Sequence, residues 1–111
     1  MEKGFHAYET ALGLVTNLRP IHDALRRQDR DLADQLRRAA SSVVLNLAEG
    51  AGRRGQDRMH FYRIAAGSAR EVRAALDVAR AWGLVVPAPE IDALMDRLAA
   101  MLWKLTRGPG R

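Results

Sequence analysis

The stretch Gln35-Leu36-Arg37-Arg38-Ala39-Ala40-Ser41-Ser42-Val43-Val44-Leu45-Asn46-Leu47-Ala48-Glu49-Gly50-Ala51-Gly52-Arg53-Arg54 decides the fold. Leu36, Ala39, Ala40, Val43, Leu47 and Gly50 recur at helical spacing and define one apolar face. At about 100° per residue, Gln35, Arg38, Ser42, Asn46 and Glu49 fall in one narrow sector beside it. The remaining side is Ser41, Val44, Leu45 and Ala48 after Arg37, small or apolar where a solitary bundle needs charge. A helix apolar or small nearly all round is buried on more than one side. This segment therefore reads as the central helix of a bundle, with a core on one side and another subunit on the other.

The rest of the chain supplies the partners. Ala11, Leu14, Val15, Leu18, Ile21 and Leu25 give a core stripe for a first helix over about 6–27. Pro20 either kinks that helix or ends it, because proline lacks a backbone donor and disfavours helix at Arg19. Asp29 or Asp31 can cap the second helix, about 31–50. Gly50 and Gly52 are expected to end it in the left-handed conformation. Asp57 is a cap or first-turn acid for a third helix, about 57–82, with stripe Phe61, Ala65, Ala69, Val72, Leu76 and Ala79. Ser68 sits inside that stripe and Glu71 beside it. Gly83 is a stop signal. Pro89 suits the first turn of a fourth helix, about 90–106, whose stripe is Ile91, Leu94, Met95, Leu98, Met101, Leu102 and Leu105. Gly108-Pro109-Gly110-Arg111 reads as a frayed tail. The expectation is an all-α, up-down-up-down four-helix bundle, a single domain over 1–111, assembling as a ring-like homo-oligomer.

Composition narrows function. The chain has no cysteine, which removes disulfides and thiolate chemistry. The N-terminus does not read as a signal peptide, and no apolar run approaches the roughly 20 residues of a membrane span. A cytoplasmic protein without membrane contact is expected. Net charge is +5, and residues 53–80 hold seven arginines against Asp57, Glu71 and Asp77, a net +4. Such a surface attracts nucleic acid, or serves only as a solvated face.

A catalytic assignment fails on inventory. His6, His22 and His60 are scattered, with neither the base a nucleophile needs nor metal-ligand spacing. The Glu-x-x-His pairs of di-iron bundles are absent. Gly50-Ala51-Gly52-Arg53-Arg54-Gly55 follows a helix and lacks the phosphate-loop lysine. No enzyme activity, metal or cofactor is expected. Arg38, Ser42, Asn46, Glu49, Ser68 and Glu71 read as a structural polar network, with Arg38 bridging Glu49 or Glu71, since buried polar groups need partners; ligand or RNA binding is the alternative. Arg53, Arg54, Arg58, Arg63 and Arg70 form the candidate nucleic-acid contact, because arginine makes charge-assisted bonds to phosphate. Tyr62 and Trp82 read as packing residues rather than base-stacking ones.

The Gln35–Arg54 stretch also resembles a family of small bacterial proteins first noted in intervening sequences of 23S ribosomal RNA genes. Gln35-Leu36-Arg37-Arg38-Ala39 and Asn46-Leu47-Ala48-Glu49-Gly50 match its first block, with Leu47 for the usual isoleucine. Phe61-Tyr62-Arg63-Ile64-Ala65-Ala66-Gly67-Ser68-Ala69-Arg70-Glu71 matches the second, an aromatic, then A-x-G-S, then Glu three residues after Ser. The resemblance covers about residues 5–85, and the Pro20-to-Gln35 segment is longer than is usual. It implies a cytoplasmic four-helix bundle that forms a ring-like homopentamer. The family includes relatives of the accessory protein of diversity-generating retroelements, which works with a reverse transcriptase and binds nucleic acid through a basic surface. The partners implied are therefore further copies of the chain, and RNA, DNA or a reverse transcriptase. The alternative is a scaffolding oligomer that binds another protein without nucleic-acid contact.

Overall fold

A computed structural model describes residues 3–86 and 88–107. They form four helices: α1 (Lys3–Arg26), α2 (Arg30–Ala51), α3 (Gly55–Ala81) and α4 (Pro89–Thr106), with no strand among the described residues. The expected frayed tail, Gly108 to Arg111, lies outside the described residues. The molecule measures 43 × 23 × 20 Å. A helix as long as α3 spans about 40 Å, so the helices lie along the long axis of a bundle two helices thick. α2 packs on α1 and α3, and α4 closes the bundle against α1 and α3.

The core follows the stripes read from the sequence. Leu14, Leu25, Leu36, Val43, Leu47, Val72, Leu76, Leu98 and Leu102 are fully buried, each stabilising the fold by about 1.5–3 kcal/mol. In α3 the stripe is displaced: Phe61 and Ala69 are half-buried, while Tyr62 and Ala75 are buried.

α1 runs through Pro20 without interruption. The proline is exposed, and the turn before it carries side-chain bonds from Thr16 Oγ1 to the Leu12 carbonyl (3.0 Å) and from Asn17 Nδ2 to the Gly13 carbonyl (2.7 Å). An interior proline costs roughly 3 kcal/mol. Burial of Leu14 and Leu18 before it and Leu25 after it outweighs that, so packing holds both halves in one helix.

The helix ends have distinct causes. Asp29 caps α2, its Oδ1 accepting from the Leu32 N–H at 3.0 Å. Asp57 is the first-turn acid of α3, and Arg54 occupies the cap position without a side-chain cap bond. Gly52 caps the end of α2 as expected, its N–H bonded to the Glu49 carbonyl at 3.2 Å, but with φ −86° rather than in the left-handed conformation, and Gly50 lies inside the helix. The left-handed residues are Gly55 (φ 56°) and Gly83 (φ 72°). At Gly83 the N–H bonds to the Arg80 carbonyl at 2.9 Å and the Leu84 N–H to the Ala79 carbonyl at 2.8 Å, the paired bonds of a Schellman end. Gly83→Ala is expected to cost about 1 kcal/mol, the steric penalty of the left-handed region for an L-residue, read as a lower urea midpoint at unchanged slope.

The connection after α3 is tied down. Gln28 Nε2 donates to the Leu84 carbonyl at 2.9 Å, and Leu84 and Val85 pack on the core. α3 and α4 are joined by Arg73–Asp96 (2.8 Å) and Arg80–Asp92 (2.9 Å).

Candidate nucleic-acid interface

The turn between α2 and α3 brings Arg53, Arg54 and Arg58 together but uses two of them internally. Arg53 donates to Glu49 Oε2 from Nη2 (2.7 Å) and Nε (3.1 Å), and to Asp57 Oδ2 from Nη1 (3.3 Å). Its guanidinium also lies over the Phe61 ring, 5.0 Å from the centroid. That contact explains why Phe61 stays half-buried at the turn. The bond and the charge of Glu49, followed by those of Asp57, hold the Arg53 pKa above its ordinary value. A phosphate would have to displace two carboxylates from this group.

Arg58 has a structural role. Its Nε donates to the Gly50 carbonyl at 3.2 Å and the Arg53 carbonyl at 2.9 Å, and its Nη2 to the Ala51 carbonyl at 3.3 Å. The last carbonyls of a helix have no partner within it and carry its negative dipole end. Arg58 thus adds a side-chain cap at the end of α2 to the backbone bond that Gly52 makes there.

Arg54, Arg63 and Arg70 remain. All three are exposed, and none has an ion pair or side-chain hydrogen bond among the described residues. Arg63 and Arg70 are seven residues apart, two turns on one face of α3. The five-arginine candidate therefore divides into two structural residues and three available ones.

The polar network also divides. Ser42 Oγ and Ser68 Oγ lie 2.7 Å apart, joining α2 to α3, and Asn46 Nδ2 donates to Ser42 Oγ (3.0 Å) and the Ser42 carbonyl (2.9 Å). Ser68 is buried, so this bond satisfies its hydroxyl. The expected Arg38 bridge is absent: Glu49 pairs with Arg53, and neither Arg38 nor Glu71 has an ion pair among the described residues. Arg38 and Glu49 are eleven residues apart on one helix, about 16 Å along its axis and beyond side-chain reach, whereas Arg53 is one turn from Glu49. Both Arg38 and Glu71 are exposed.

Two aromatics were misplaced or missed by sequence reading. Tyr62 is buried as expected, but Trp82 is 76% exposed. Trp103, 57% exposed on α4 with Arg107 over its ring at 4.0 Å, was not singled out. Its position between the stripe residues Leu102 and Leu105, off their phase, was the signal available. Among the described residues no group of His, Cys, Asp and Glu converges to hold a metal ion, and no helix is long and apolar enough to cross a membrane.

Fold and surface together define a small all-α four-helix bundle carrying exposed, unengaged arginines along α3. The family model described as 23S rRNA-intervening sequence protein matches residues 3–106, and the chain belongs to that family. Comparison with curated proteins and with solved structures gives no match.

Proposed function

We propose that this protein is a non-enzymatic, cytoplasmic, homopentameric bundle of up-down-up-down order that binds RNA or DNA through Arg54, Arg63 and Arg70. The observation that carries the reading is the exposure of these three cations without an acidic partner among the described residues, in a segment of net charge +4. The family's name, which refers to intervening sequences of 23S rRNA, agrees with a nucleic-acid setting. Short connections between α1 and α2 and between α2 and α3 favour antiparallel neighbours. A ring would repeat the arginines on every subunit, and weak sites would gain by multivalency.

Titration of RNA and DNA oligonucleotides at several salt concentrations tests the reading. Affinity should fall steeply with salt, and Arg54→Ala/Arg63→Ala/Arg70→Ala should reduce the log–log slope by about 2 and the affinity tenfold or more. Binding indifferent to salt, or absent, rejects it.

A second reading, a scaffold that binds another protein, is favoured by Leu45, 66% exposed on α2 beside half-buried Val44. The same face suits self-association. Sedimentation as a single 12.3 kDa particle would remove the ring. Recovery of a protein partner after nuclease treatment, unaffected by charge reversal at Arg54, would favour the scaffold.

A further inference from the structure

α3 and α4 part along one stretch of their contact to leave a cleft of about 250 Å³. The gap has a simple cause. Ala66 and Ala69 of α3 and Ala99 of α4 line it, and side chains this short leave space open between the two helices there. Its floor is apolar, built on the fully buried Leu98. Trp103 forms part of the wall, and Arg70 stands at the rim. Arg73, also at the rim, is held by Asp96, so Arg70 is the cation there without a carboxylate partner among the described residues.

The size and chemistry of the cleft select its occupant. Pockets for drug-sized ligands run to roughly 300–1,000 Å³. A smaller apolar slot beside an indole suits one planar ring system. Trp103 lines the cleft, whereas the Arg107 guanidinium that covers one face of its ring at 4.0 Å does not. Arg70 at the mouth, with Arg63 two turns back on the same face at about 10 Å, adds positive charge where a backbone would leave the cleft. An aromatic wall with flanking arginines is the arrangement that holds a stacked base and its phosphate. A base within a duplex is already stacked and paired, so the fitting partner is a single strand.

We infer that the α3–α4 cleft seats one base of a single-stranded nucleic acid against Trp103, with the adjoining phosphate on Arg70. This rests on the nucleic-acid reading above and adds a grip on the α3–α4 side to the contact at the α2–α3 turn.

Trp82→Phe leaves Trp103 as the sole indole and provides the test protein. A short oligothymidylate, the matching oligouridylate and an abasic strand of equal length are titrated against it, following Trp103 fluorescence and affinity. Both base-bearing strands should change the fluorescence, and the abasic strand should not. The abasic strand should bind about tenfold more weakly. Trp103→Ala should erase that difference and leave the salt slope intact, whereas Arg70→Ala should lower the slope by about 0.7. The comparison of strands on the protein that retains Trp103 does not depend on how Trp103→Ala folds. Equal binding of all three strands with constant fluorescence overturns the cleft assignment while the nucleic-acid reading stands. A change in sedimentation on Trp103→Ala, with no change in base preference, also overturns it and makes the cleft a contact between copies of the chain. Absence of salt-dependent binding to any strand rejects both.

Discussion

Gly50→Val is expected to lower the free energy of unfolding by about 3 kcal/mol, at the upper end of the overpacking range. Two effects oppose each other at this position. Replacing an interior helical glycine removes backbone freedom from the unfolded chain and is worth up to about 1 kcal/mol in favour of the variant. Against it, a Cβ on Gly50 would lie 2.6 and 2.7 Å from two carbons of the Tyr62 ring and 3.3 Å from the Arg58 carbonyl oxygen. Tyr62 is 4% exposed, so its ring has no free space to swing into, and the carbonyl belongs to the α3 backbone. The clash wins. Gly50→Ala should show a smaller net loss, about 1 kcal/mol, because one methyl group overpacks less than three carbons. Gly13 supplies the control. It also lies within a helix, but a Cβ there meets nothing within 4 Å. Gly13→Ala should stabilise by about 0.5–1 kcal/mol. Urea unfolding followed by circular dichroism reads all three, as midpoint shifts at constant slope. A neutral Gly50→Val would mean that α2 and α3 do not approach at this point.

Arg58→Ala is expected to cost about 2 kcal/mol of stability and to leave the nucleic-acid affinity of the folded protein within about twofold. Hydrogen bonds from a charged donor contribute roughly 1.5–3 kcal/mol each. Those of Arg58 are part-buried or exposed, and three of them share one side chain, so the sum is far smaller than three full bonds. What is lost is the side-chain cap of α2 and the link from its end to the first turns of α3. Arg58→Lys should recover only part of the loss, because a single ammonium cannot span carbonyls that a planar fork reaches together. Affinity is compared with that of the Arg54→Ala/Arg63→Ala/Arg70→Ala protein, which should retain its stability and lose binding. If Arg58→Ala instead abolishes binding while the urea midpoint stays in place, Arg58 is a phosphate contact and its three carbonyl bonds are dispensable.

These two variants mark where periodicity stops being informative. The α2 stripe from Leu36 to Gly50 is buried as its spacing requires, because a helix of fixed pitch leaves no choice about which residues share a face. Ser68, read as lying inside the α3 stripe, is buried for the same reason. Gly50 was legible as a glycine but not as a close approach. Its neighbour Tyr62 lies on another helix, and the relative height of two helices is set by packing that neither sequence states alone. The same holds for Phe61 and Tyr62, adjacent in sequence, of which the one facing Gly50 is buried and the other lies under Arg53.

Charge was the least transferable quantity. Counting residues 53–80 gave seven arginines as a single basic segment. In space Arg53 is neutralised by Glu49 and Asp57, Arg58 closes a helix, and Arg73 and Arg80 bind α4. Whether an arginine is available to a partner depends on which acceptors the fold brings within about 3 Å of it, and those lie up to 23 residues away along the chain.

From its sequence alone, this protein was determined to be helical, with four amphipathic segments, their approximate ends, most of their buried faces and a surplus of arginine. Those properties are local: they follow from a repeat of 3.6 residues and from residue chemistry. The tertiary structure decided that α1 continues through Pro20, that Gly50 admits Tyr62, that Arg53 and Arg58 of the five candidates are engaged while Arg54, Arg63 and Arg70 have no ion pair among the described residues, and that a cleft opens beside Trp103. Each of these depends on side chains from different helices meeting at a particular height and rotation, and that relation exists only once the helices are packed.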